Sequence, residues 1–230
     1  MKAIALNFSI AREIQYRRGE YVRLSRLGDI LFEQGKVSEA KSQYELFLSD
    51  CKDLRDSDSV AQAQASLATL ALEQRRFAEG ITLASQAADK YKDDQSADLE
   101  ASTYALQSRL LLGQGRAREA HSASSRSAAL AGTTGSRSPK YEATLATSYV
   151  EVRTGRATDA AQHLKAMIRL AHQQGYKGFE YEARLAFGEI ELKSSASAFG
   201  RKQLNALVQE GAKTGLIRIA EHARNLAEPR

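Results

Sequence analysis

Apolar and small residues recur along this chain at helical spacing. They run Ala40, Tyr44, Phe47, then Gly80, Ala84, Ala87, then Ala160, Leu164, Met167, then Gly200, Leu204, Leu207. Steps of four and three put each set on one face of a helix. The sets themselves lie 40 residues apart or a multiple of it. Gly35, Arg75, Gly115, Gly155 and Ser195 share that register. So do Ala40, Gly80, Ala120, Ala160 and Gly200, and the pairs Leu27–Gly28, Leu67–Ala68, Gln107–Ser108, Thr147–Ser148 and Phe187–Gly188. Five units follow without an insertion: 21–60, 61–100, 101–140, 141–180 and 181–220.

Each unit predicts two helices. The first runs about sixteen residues to the mid-unit turn, where a glycine tolerates the positive φ that ends a helix. The second starts just beyond, with its small residue where two helices approach closely. Units three to five share a stop signal, Ala131–Gly135, Ala171–Gly175 and Gly211–Gly215. The ends extend the pattern. Ile4, Phe8, Ala11 and Ile14 share a face, and Ile4 and Ala11 fall where Tyr44 and Cys51 fall. Residues 1–20 are thus expected to be an N-terminal half-repeat or cap helix, or the array to be a piece of a longer protein. Leu216, Ile219, Ala220, Ala223 and Leu226 form a second stripe, with Glu221, Arg224 and Glu228 off it. Residues 216–230 therefore predict a cap helix and tail, of the kind that closes an open solenoid.

Composition agrees with an all-α chain. Hydrophobic types make up 43% and there are only two prolines, too few for the turns of an all-β fold. No apolar run approaches the length that spans a membrane. The single cysteine, Cys51, has no partner for an intramolecular disulfide. It lies in an apolar phase of a predicted helix, which points to a packed structural thiol and a reducing, cytoplasmic setting. The net charge of +5 is uneven, with residues 51–100 acidic and 101–150 basic. The basic middle makes nucleic acid an alternative partner, but no aromatic residues interleave with it to stack on bases.

The residues in register resemble the tetratricopeptide repeat (TPR). Unit one carries the family pattern most fully: Leu24, Leu27, Gly28, Leu31, Gly35, Ala40 and Tyr44, with Phe47 in place of the last alanine. Unit two keeps Leu67, Ala68, Ala71, Phe77, Ala84 and Ala87. Unit three keeps Leu111, Gly115 and Ala120 but has Ser124 and Ser127. Unit four keeps Gly155, Ala160 and Leu164, and unit five Phe187, Gly188 and Leu204. The period departs from the usual value of about 34 residues, and the closing proline is missing from every unit. Such long, alanine-rich units look like the TPR arrays at the C-terminal end of bacterial multidomain regulators and signalling kinases. The resemblance implies a right-handed α-α superhelix of about five helix pairs, with an N-terminal half-repeat and a C-terminal cap helix.

Candidate chemistry is sparse. No HExxH, CxxC or phosphate-loop motif occurs, and His121, His163, His172 and His222 are not at metal-ligand spacing. The expectation is a non-catalytic chain without cofactor or metal. By resemblance, the first helices line a concave groove that binds a peptide or partner protein. The groove positions include Ser25, Asp29, Thr69, Arg109, Tyr149 and Glu189, with Gln62, Ser102, Glu142 and Glu182 nearby. Arg109 and Tyr149 are the anchors expected of an interface. The Lys/Asn set with which chaperone-adaptor TPRs clamp a carboxylate is missing. Two alternatives remain open: a ligand-sensing regulatory tail of a kinase or transcription regulator, and the nucleic-acid reading. Finally, the second helix of unit three offers little but alanine and serine to bury. It must pack very closely or open first, so hydrogen exchange is expected to be fastest over 121–138.

Overall fold

The structure, a computed structural model, describes residues 2–194 and 197–228, without the side chains of 2–15, 17 and 18. The described residues form eleven α-helices and no strand. In chain order they are α1 (Lys2–Glu33), α2 (Val37–Asp53), α3 (Ser57–Glu73), α4 (Phe77–Asp93), α5 (Ala97–Gly113), α6 (Ala117–Thr133), α7 (Ser138–Arg153), α8 (Ala157–Gln173), α9 (Lys177–Leu192), α10 (Ser197–Thr214) and α11 (Ile217–Ala227). Consecutive helices pack as pairs, giving an all-α helical-repeat solenoid of five pairs followed by α11.

The repeat has a finer grain than 40 residues. Most helices are 17 residues long and end in the same three-residue turn, so the turns recur every twenty. At eight of the turns one residue takes positive φ: Gly35, Arg55, Arg75, Gln95, Gly115, Gly155, Gly175 and Gly215. The following N–H reaches back to the last turn of the helix, as in Lys36 N–H to Leu31 O (2.9 Å), Asp56 to Cys51 (2.9 Å) and Arg76 to Ala71 (2.8 Å). This is the Schellman arrangement, and it satisfies carbonyls that a helix end leaves unpaired. Arg55, Arg75 and Gln95 hold φ values of 55°, 58° and 57°, where a Cβ costs about 1–2 kcal/mol. Arg75→Gly and Gln95→Gly are each expected to raise stability by about 0.5–1 kcal/mol, because glycine relieves more strain than its added chain entropy costs. A lower urea midpoint in either variant would refute this.

Three expectations need correction or limits. The boundary expected near residue 20, between an N-terminal half-repeat or cap helix and unit one, is not marked by a break, because α1 runs unbroken from Lys2 to Glu33. No proline or positive-φ residue interrupts it. The expected stop at Gly135 is not made in left-handed conformation; α6 ends at Thr134 in extended backbone (φ −96°, ψ 152°), and α7 starts on Ser138 with Pro139 in its first turn. The turn at Ser195 lies outside the described residues, as do the side chains of Ile4, Phe8, Ala11 and Ile14.

The core is a chain of clusters along the array, each shared by two or three neighbouring helices. Phe47, Leu110, Leu164, Leu204 and Leu207 are fully buried. Cys51 is buried too, and burial pushes its thiol up to about 12, which leaves it protonated and inert. The small residues at the start of the second helices sit at close helix contacts. A Cβ on Gly200 would lie 2.8 Å from the backbone N of Leu192, while Ala40, Ala120 and Ala160 have no exposure at all. The serines of unit three are packed closely as well. Ser127 donates to Ala101 O at 2.7 Å, and Ser108, on α5, donates to Ala120 O at 2.8 Å. These bonds tie α5 to α6, but the buried set of α6 contains nothing larger than alanine and serine. Fast exchange over 121–138 therefore remains the expected result.

Candidate binding site on the inner face

The first helices of the units, α1, α3, α5, α7 and α9, turn one face inward, as does α11 after them. Together they enclose a cavity of about 690 Å³. Gln62, Ala65 and Thr69 come from α3, Ser102, Ala105 and Arg109 from α5, and Glu142 and Leu145 from α7. Phe179 and Glu182 of α9, Phe32 and Glu33 of α1, and Arg218 and Ile219 of α11 complete it. The 40-residue register explains why: equivalent positions on stacked first helices form a ladder along the inner wall. The volume is within the range of small-molecule and peptide-segment sites.

Of the expected site residues, three come together. Thr69 and Arg109 line the cavity, and the Arg109 guanidinium lies 5.3 Å from the ring centre of Tyr149. Burial pushes the Tyr149 hydroxyl up to about 12. The stacked arginine is held in place by this cation–π contact. The other three do not join them. Ser25 is buried, Asp29 accepts a hydrogen bond from the Tyr44 hydroxyl at 2.8 Å, and Glu189 pairs with Lys193 at 2.6 Å. Opposite Arg109 stands Glu142, whose carboxyl is raised above the ordinary range by burial, partly offset by Ser102 and Arg109. Its Oε2 is buried without a hydrogen-bond partner.

Sequence reasoning missed the strongest polar feature of the site. Arg218, 8% exposed, reaches across the inner face from α11. It meets Glu182 at 2.5 Å, Glu33 at 3.2 Å and Glu73 at 3.8 Å, and its guanidinium lies 4.7 Å from the ring centre of Phe32. His222, one turn later, contacts Glu73 at 2.6 Å. The expected cap helix is therefore also a latch. Its apolar stripe packs on the preceding helices, with Ile219 and Ala223 buried, while its other face touches α1 and α3. One signal for this lay in the register, because His222 continues the ladder Val22, Gln62, Ser102, Glu142, Glu182.

The charges of the latch shift one another. Glu182 and Glu73 are desolvated by burial, which raises them, but cationic neighbours outweigh this and both end below the ordinary 4.5. For Glu182 these are Arg218 and Arg109; for Glu73, His222 and Arg218. His222 is raised above 6.5, chiefly by its hydrogen bond to Glu73. The lowered carboxylates stabilise the fold above their unfolded values near 4.5 and lose that contribution as pH falls through their folded values. The raised histidine stabilises it fully below 6.5 and loses that contribution as pH rises through its folded value. Stability should therefore be higher near pH 5.5 than near pH 8. His222→Gln should flatten that slope in urea titrations, and an unchanged slope would exclude the histidine as its source.

Comparison of the sequence with models of known protein families and with curated proteins found no match in either. Among the described residues no helix is long and apolar enough to cross a membrane, and no cluster of three or more His, Cys, Asp or Glu is disposed to hold a metal. Three of the histidines contact one glutamate each, His163 with Glu151, His172 with Glu180 and His222 with Glu73, on separate parts of the array.

Proposed function

We propose that this chain is a non-catalytic, TPR-like interaction module, cytoplasmic in setting, whose inner face binds a peptide or a segment of a partner protein. The observation that carries the reading is the cavity of about 690 Å³ into which the ladder of first helices delivers Thr69, Arg109, Glu142 and Glu182. Arginine stacked on tyrosine is a frequent energetic anchor of interfaces. Wall residues such as Phe32, Leu145 and Phe179 supply apolar area beside it. Selection of peptides from a displayed library on the immobilised protein tests this. Binders are expected whose affinity falls at least tenfold for Arg109→Glu. Binders indifferent to Arg109→Glu, and to a bulky Thr69→Trp, would place the site elsewhere.

One observation favours the second reading, a sensor that regulates an attached domain. Arg218 joins the two ends of the array, 185 positions apart, directly beside the cavity. A ligand that altered this contact would alter the curvature of the whole solenoid. Limited proteolysis with and without a selected peptide separates the two readings. Protection confined to the cavity supports a scaffold, and changed cleavage near α1 and α11 supports a sensor.

A further inference from the structure

The outer edge of the array at α1 is unfinished, and the chain itself carries the segment that finishes it. Within the array each first helix rests on the second helix before it. On α3, Leu67 (8% exposed) and Leu70 (0%) are buried in one cluster with Ala40 and Tyr44 of α2, and Ala63 lies with Phe47 and Cys51. Forty residues earlier, α1 presents Leu27 and Ile30 in the same register, yet they are 45% and 56% exposed. Two large aliphatic side chains left open at positions buried one unit later mark an absent neighbour rather than a solvated face.

The sequence of residues 2–14 has the composition of that neighbour. Ile4, Phe8, Ala11 and Ile14 occupy the register of Tyr44, Leu48, Cys51 and Leu54, all four of which belong to or pack against the clusters between α2 and α3. To reach Leu27 and Ile30 of its own chain, this segment would have to turn back at residue 15, where the twenty-residue grid places a left-handed turn. It does not: α1 is unbroken through residue 15. An unbroken helix of 32 residues is about 48 Å long and cannot fold back to cover its own second half.

We propose that α1 is an opened helical hairpin that closes in trans, so that two copies of this chain pair antiparallel through α1. In the hairpin of α2 and α3 the register sets Tyr44 against Leu67, and the same offset sets Ile4 of one copy against Leu27 of the other. Because that offset is symmetric about the point midway between residues 15 and 16, both copies make the same contacts, as a two-fold dimer requires. The sequence supports the pairing electrostatically, since it brings Glu13 of one copy opposite Arg18 of the other. The interface is separate from the cavity, so the two proposals stand or fall independently.

Light scattering of the whole chain is expected to give about twice 25.2 kDa. The exposed pair Leu27→Glu and Ile30→Glu should return it to the monomer mass with unchanged helicity. A cysteine pair decides the topology. In Cys51→Ala, the double variant Ile4→Cys and Leu27→Cys should oxidise to a covalent dimer on a non-reducing gel. A monomer mass at every concentration, a dimer indifferent to the two glutamates, or oxidation within a single chain would each overturn the proposal.

Discussion

Arg218→Met should lower the unfolding free energy by about 3 kcal/mol in urea titrations, the largest loss expected from any surface-reaching charge in the chain. The guanidinium faces Glu33, Glu73 and Glu182 together, so its removal leaves three carboxylates of like charge without their common counter-ion. Breaking a buried charge arrangement by deleting one partner costs about 3–5 kcal/mol. The lower end applies because Glu33 is about one-third exposed and water screens it. Lysine should not restore the loss. A point charge cannot spread over three acceptors and a ring face as a planar guanidinium does. Neutralising an acceptor should help: Arg218→Met combined with Glu182→Gln is expected to be more stable than Arg218→Met alone. If the double variant is weaker, the carboxylates are not the source of the cost, and the latch reading of α11 fails.

This latch also marks the limit of what the sequence discloses. The repeat was legible because it is local: apolar spacing fixes each helix, and glycines at 35, 115, 155, 175 and 215 mark turns that need positive φ. The inner ladder was legible because a constant period stacks equivalent positions. The twenty-residue grid was hidden, since half-unit turns in the first two units carry Arg55 and Gln95 in place of glycine. Arg218 was hidden for another reason. Its partners lie 36, 145 and 185 positions away, and only the accumulated curvature of five pairs brings the two distant ones within reach. Ser25 and Glu189 show the converse. They share the register of the ladder, but what covers a position depends on neighbouring elements: Ser25 is buried, and Glu189 is taken by a lysine one turn away. The unbroken α1 follows the same logic. Its pattern specifies a second helix and a first helix, while the choice between turning and continuing rests on which surface is available to pack against.

Leu110→Ala should cost about 3 kcal/mol, and Gly80→Ala should recover part of that loss although it is harmful alone. Leu110 is fully buried, and truncating such a leucine removes its transfer energy and leaves a cavity. Gly80, at the close-approach position of α4, is the reason the leucine fits. A Cβ there would lie 2.5 Å from Leu110 Cδ2 and 3.2 Å from its Cδ1. In the native core Gly80→Ala therefore overpacks, at an expected cost of about 1–2 kcal/mol net of the better helix propensity of alanine. Once Leu110 is shortened, the same methyl enters the vacated space and the propensity gain is realised. The double variant should then be at least 1 kcal/mol more stable than the sum of the single effects predicts. Additive losses would mean that the backbone relaxes around each site separately. In that event the small residues at 40, 80, 120, 160 and 200 would be tolerated by the fold rather than required by it. Coupling of the expected sign ties the forty-residue register to a side chain reaching in from the next unit. It would make Gly80 a determinant of how closely α4 and α5 stack, and so of the curvature that brings α11 back to α1.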